Sequence, residues 1–137
     1  MRPLKRIRAA LAAGAATAIA CTSPTTSVNE LPVTVELAAG NRVSLVDLGI
    51  TLRFDSVVTD SRCPMGVFCI VAGQAVLSFS LTGANAPASG ELLLASDRPD
   101  STLGVVLSAE EVTPYPRINQ PPPDHRAYRV SLRISSR

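Results

Sequence analysis

A chain of 137 residues holds one ordinary domain once any targeting segment is set aside, and is too short for two. The formal charge of +2 misleads, because four of the thirteen Lys and Arg fall in the first twenty residues and the remainder carries nine Arg against eleven Asp plus Glu, a net of −2. Single, scattered arginines on a slightly acidic chain lack the basic footprint that nucleic acid or an acidic polymer needs in a partner.

Arg2, Lys5, Arg6 and Arg8 form a basic start, and residues 9–20 form an unbroken apolar and small-residue run. Crossing a bilayer takes roughly 18 or more apolar residues, so this run is too short to remain as an anchor and reads as the core of a removable secretion signal. The signal closes on Ala18-Ile19-Ala20-Cys21. Ala18 and Ala20 satisfy the small-x-small pattern of an ordinary cleavage site, while a small residue before a cysteine resembles a bacterial lipobox, with Ala18 where Leu is usual. In a lipobox the cysteine is acylated and becomes the new N-terminus.

Cysteine parity favours lipidation of Cys21 over plain secretion, which is the alternative. The chain has three cysteines, and an exported protein with one disulfide leaves one of them over. Cys63 and Cys69 are the natural pair, six positions apart with Pro64 and Gly66 between them. Cys21 is then the odd thiol, at the one position where acylation, palmitate included, consumes it. Two or more acyl chains are needed for stable anchoring, which a diacylated cysteine supplies. The expected organisation is a signal peptide over 1–20, a lipidated N-terminus and flexible tether over 21–30, and a single domain over 31–137. The expected location is a bacterial membrane, held through the lipid, facing the periplasm or the cell exterior.

Residues 22–29 (TSPTTSVN) are small and polar, the composition of a tether that at about 3.3 Å per extended residue reaches roughly 26 Å. From residue 31 the pattern alternates with period two. Val33, Val35 and Leu37 make one strand, Ala39-Gly40-Asn41 a turn, Val43 and Leu45 a second strand, and Ile50, Leu52 and Phe54 a third. A fourth is expected over 70–82, ended by the Gly-rich stretch 83–90, and two short strands over 92–95 and 103–107. Ser108-Ala109-Glu110-Glu111 matches a capping box, but Pro114 limits the helix to one turn at most. Tyr128, Val130, Leu132 and Ile134 alternate with Arg129, Ser131 and Arg133 in the last strand. Six or seven short strands predict an all-β fold, a small antiparallel sandwich or barrel with one disulfide.

The segment from Asp60 through Ser61, Arg62, Cys63 and Pro64 to Cys69 and Gly73 resembles a family of uncharacterised bacterial exported and lipid-anchored proteins. Their mark is D-S-R-C-P, a few residues, then C-x-W-A-G and a strand; Val71 stands here in place of the Trp. The resemblance implies export and this fold, and carries no activity with it.

The ordinary reading of the disulfide is a staple between the third and fourth strands. The functional reading is a recognition loop presenting Met65, Val67 and Phe68 to an envelope protein, since a rigid loop loses little freedom on binding. A soft-metal site of Cys63, Met65, Cys69 and His125 would suit Cu(I), but an oxidising compartment and the absence of C-x-x-C or a His pair oppose it. His125 beside Asp124 invites a hydrolase reading, yet no serine stands in a nucleophile context, and neighbours on a loop rarely have triad geometry. The Pro-rich run 114–123 reads as a stiff connection rather than a polyproline ligand. Asp55, Asp60, Asp97, Asp100 and Asp124 match no calcium loop. No metal, cofactor or catalytic residue is expected. The predicted function is a binding or structural envelope module, with a secreted hydrolase or a copper-binding protein as alternatives.

Overall fold

The computed structural model describes residues 23–137 apart from Ser89 and Thr102. The expected signal peptide, residues 1–20, and the expected lipidation site Cys21 lie outside the described residues. Where apolar and polar residues alternate the chain runs as strands, each with one buried face. These are β1 (Thr25–Val28), β2 (Val33–Ala38), β3 (Arg42–Leu45), β4 (Ile50–Asp60), β5 (Ala75–Gly83), β6 (Glu91–Ala95), β7 (Val105–Thr113) and β8 (Arg129–Ser136), with a single 3-10 turn at Val46–Leu48. They form a five-stranded sheet in the order β1-β3-β4-β5-β6 and a three-stranded sheet in the order β2-β8-β7. The two sheets share one hydrophobic cluster and do not close into a barrel, so the sandwich alternative is the one observed.

Phe54 of β4 and Phe79 of β5 stand opposite one another in register, fully buried, with ring centroids 5.4 Å apart. Leu37, Val130, Leu132 and Ile134, from strands of the other sheet, belong to the same core. The outer face of the five-stranded sheet is polar, with Ser44 and Thr51 in hydrogen-bond contact at 2.9 Å and Arg53 ion-paired to Asp55 at 2.6 Å.

Three expectations need correction. The polar segment taken as tether contains β1, which pairs in parallel with β3 from Thr25↔Arg42 to Val28↔Leu45 and puts Val28 in the core. Hydrogen bonding to an open sheet edge ordered a stretch whose composition alone says coil, and it makes that sheet mixed rather than purely antiparallel. Ile70 and Val71 belong to a loop and not to the fourth strand, which starts at Ala75. The capping-box segment is strand. Ser108 pairs with Arg133 and Ala109 with Leu132, and the register then shifts before Glu111↔Ser131. Glu110, the residue left over at that bulge, lies 3.6 Å from Arg133. Cross-strand pairing to β8 outweighs a local helix-start signal that has no room to propagate.

The ends of the sandwich differ. The connections at 39–41, 61–74 and 114–128 follow the C-terminal ends of β2, β4 and β7 and therefore gather at one end. The chain also enters there, because β1 runs parallel to β3 and antiparallel to β4, so tracing it back from Thr25 leads in the direction in which β4 runs toward Asp60. Val46 and the 83–90 connection lie at the opposite end.

Candidate functional site

The distinctive D-S-R-C-P segment starts at the last residue of β4, and its Asp60 and Arg62 side chains build a knot. Asp60 accepts from Arg62 through both carboxylate oxygens, Oδ1 from Nε at 2.8 Å and Oδ2 from a terminal nitrogen at 2.7 Å. Tyr128, the residue before β8, donates its hydroxyl to the same Oδ2 at 3.0 Å. Arg62 spends its remaining donors on the carbonyls of Val112 at 2.6 Å and Pro114 at 3.0 Å, and its guanidinium lies 4.6 Å from the centroid of the Tyr115 ring. The ion pair is nearly dry, the Arg62 and Asp60 side chains being 9% and 10% exposed.

These contacts set the protonation states. Burial pushes the Asp60 carboxyl up, but the hydrogen bonds and positive charge of Arg62, with the Tyr128 hydroxyl, outweigh it and hold the group below its ordinary value. Tyr128 is pushed up to about 12 by burial and by its bond to the Asp60 carboxylate. Arg62 loses stability as a cation through burial and regains more from Asp60, so its pKa is raised. A carboxylate and a guanidinium held this firmly in their charged forms have no proton to exchange near neutrality, which suits a structural clamp.

Beyond the clamp the β4–β5 hairpin continues as a narrow ladder. Ser61 donates from its backbone to Gln74 O at 2.9 Å, and Cys63 to Ala72 O at 2.8 Å. Gly73 faces Ser61 with a φ of +69°, and a Cβ there would come 1.8 Å from the Ser61 carbonyl oxygen, so only glycine fits. Cys63 and Cys69 are disulfide-bonded with their Cα atoms 5.8 Å apart, closing the tip of the ladder. The tip also bonds sideways to the Pro-rich connection: Met65 donates to Pro116 O at 2.9 Å, and Ile118 donates back to Met65 O at 3.4 Å. A concavity of about 320 Å³ lies beside it, with Pro64, Tyr115, Arg117 and Pro121 in its wall.

Rigidly held, the tip is apolar and open to solvent. Phe68 and Ile70 are completely exposed at 107% and 105%, Val71 is 74% exposed, and Met65 and Val67 are exposed with them. Tyr115 and Ile118 extend the surface onto the neighbouring connection. The candidate recognition residues Met65, Val67 and Phe68 are thus brought together. Ile70 and Val71 are members that the strand reading of residues 70–82 concealed; their place between Cys69 and Gly73, inside the loop, was the available signal.

The other candidates separate. The sulfurs of Cys63 and Cys69 are bonded to each other, so neither is a thiolate for a soft metal. His125 is held by Val57 of β4, its Nδ1 2.6 Å from Val57 O and its carbonyl accepting from Val57 N at 3.0 Å. Asp124 closes its own turn by accepting from Arg126 N at 2.8 Å. No group of three His, Cys, Asp or Glu placed to hold a metal occurs among the described residues. A second concavity, about 550 Å³, lies over the polar face of the five-stranded sheet, where Asp55 is engaged by Arg53 at 2.7 Å and by Ser80 at 2.5 Å. No helix among the described residues is long and apolar enough to cross a membrane. No family model, curated protein or solved structure matches the chain.

Proposed function

We propose that the protein is an exported bacterial lipoprotein, anchored through Cys21, whose β-sandwich is a non-enzymatic module that presents the stapled loop as a contact surface. The observation that carries the contact surface is the exposure of Phe68 and Ile70 on a loop fastened by a disulfide, a buried ion pair and bonds to a second connection. Large apolar side chains are costly to leave in water, and a loop ordered in advance loses little freedom on binding. The Cys63–Cys69 bond supports the anchor reading, since it leaves Cys21 with no other cysteine of the chain to pair with. The basic start, the short apolar run and the lipobox-like Ala20-Cys21 agree with it, as does the resemblance to lipid-anchored proteins carried by Asp60 to Gly73.

Intact mass of the protein recovered from its native envelope tests the anchor. The expected species begins at Cys21 with acyl mass added, and exposes two thiols to alkylation only after reduction. A chain with an unmodified Cys21 removes the anchor. A photoreactive residue in place of Phe68, compared with one in place of Val46 at the opposite end, tests the module in intact envelopes. Adducts from position 68 and none from position 46 are expected; equal labelling removes the contact surface.

A further inference from the structure

A contact surface at the end of the sandwich where the chain enters faces a particular neighbour. We propose that the stapled loop meets the bilayer that holds the lipid, inserting Val67, Phe68, Ile70 and Val71 at the level of the headgroups and upper acyl chains as a second point of attachment. This rests on the anchor reading of Cys21 and adds to it the occupant of the loop.

The first support is where the chain enters the domain. Ser23 lies against Gly40, and Pro24 O accepts from Arg42 N at 3.1 Å, so the chain is already fixed to the sheet at these residues. Cys21 is two positions before Ser23, a reach of no more than about 7 Å. An anchor at Cys21 therefore holds the domain close to the membrane, with the entry end facing it.

The second support is the reach of the loop. Gly40, beside Ser23, bonds to Phe54 O, and β4 continues beyond that level to Asp60 before the loop begins. Six further residues of strand add roughly 20 Å, less what the two bulges in β4 take up. The loop overhangs the point of entry by more than the anchor's reach, so the sandwich leans until a bilayer plane through the anchor is met by the loop tip. Two separated contacts fix the tilt of the domain, which a single lipid leaves free.

The third support is chemistry. Residues 63–73 contain no charged side chain, so their approach to lipid desolvates no ion. The amides of Cys63 and Met65 are satisfied within the protein, by Ala72 O and Pro116 O. The charged groups at the base, Asp60 and Arg62, are paired with each other and turned to the core side of the knot, bonded to Tyr128 and to Val112. An interfacial element of this kind buries its apolar face about 5–10 Å into the headgroup boundary. The inserting residues carry no charge, and Arg117, bridged to Met65 from the neighbouring connection, adds a cation beside them, so anionic lipid is not required for the contact.

The chain has no tryptophan, so a single one reports cleanly. The full lipidated protein carrying Phe68→Trp, and separately Val46→Trp, is purified from membranes and its acyl mass verified. Each is then reconstituted into phosphatidylcholine vesicles with bromine on the acyl chains. The Phe68→Trp protein is expected to be blue-shifted and quenched several-fold, equally at low and high salt, while Val46→Trp is unaffected. With acyl mass present, an unquenched Phe68→Trp signal, or equal quenching at both positions, overturns the proposal. Shielding of the Phe68→Trp indole in native envelopes but not in the vesicles also overturns it, and points to a protein partner. If Cys21 proves unmodified, the anchor reading fails separately. The same variants added from solution then decide the loop, quenching of Phe68→Trp alone supporting insertion and no quenching overturning it.

Discussion

At the scale of single residues, Asp60 does the most. It ends β4, holds Arg62 through both oxygens and receives Tyr128 from the opposite sheet. Removing one member of a buried ion pair costs about 3 kcal/mol because the other charge is left unpaired. Asp60→Asn is therefore expected to lower the stability read by urea titration by about that amount, with little change in the denaturant slope. Because the folded carboxyl titrates below its unfolded value, its stabilisation is complete above the ordinary Asp pKa of about 3.9 and is lost as pH falls through the depressed folded value. The wild-type chain should lose stability on acidification below about pH 4, and the Asn variant should lose less. Tyr128 has the opposite sign: its folded value is raised to about 12 from 10.0, so its stabilisation is present below pH 10 and is lost as pH rises toward 12. At Gly73 the limit is steric. Gly73→Ala puts a methyl against the Ser61 carbonyl in a left-handed backbone, and is expected to cost about 2 kcal/mol or more in thermal melting comparisons.

At the scale of elements, the β4–β5 hairpin carries both the core and the loop. Its lower part pairs Phe54 with Phe79, and its upper part leaves the body of the sandwich as a two-strand ladder with no second sheet beneath the tip. An isolated hairpin is marginal in water, so this part depends on added links. The disulfide is one, and closing so short a loop contributes about 2.4 kcal/mol in the chain-entropy model. Cys63→Ser with Cys69→Ser is expected to reduce global stability by no more than about that, while hydrogen exchange rises specifically over residues 61–74 and 114–118. Unchanged exchange in the loop would mean that the Arg62 knot holds it without the disulfide. The bulge in β7 serves a related purpose. It lets Ala109 and Val112 oppose Leu132 and Val130 on β8 despite the extra residue, and leaves Glu110 to pair at the surface.

At the scale of the whole molecule, a single core joins the two sheets, and the aromatic pair lies within it. Phe79→Ala removes one ring from a site with no exposure, and a loss of about 3–5 kcal/mol is expected by calorimetry or denaturant titration. Phe68→Ala at the loop tip, fully exposed, should leave stability within about 0.5 kcal/mol of wild type while weakening the contact proposed for the loop. These two phenylalanines separate a residue that holds the fold from one assigned to the proposed contact. One end of the sandwich, with its short 3-10 turn, exposes Val46 and, less, Leu31 among large apolar groups; the other brings together the chain entry, the stapled loop and the Pro-rich connection. That asymmetry places the proposed contact surface at one end of the molecule.

The sequence alone determined the strands with strict alternation and the pairing of Cys63 with Cys69, because period two and loop closure are local properties. Val33 to Leu37, Ile50 to Phe54 and Tyr128 to Ile134 each bury the face that their alternation marks. It also contained the candidate loop residues Met65, Val67 and Phe68. What it could not contain were the facts that depend on distant neighbours. Thr25–Val28 is strand because β3 offers an edge, and Ser108 to Glu111 is strand because β8 offers a partner; neither is visible from composition. Asp60, Arg62 and Tyr128 read separately as a turn acid, a scattered base and a strand aromatic, and only the fold brings them into hydrogen-bond distance. Ile70 and Val71 looked like a strand because apolar residues next to Cys69 have the same composition whether buried or not. Whether they meet a core or solvent was decided by where the second sheet ends, which is a property of the packed molecule and not of any segment within it.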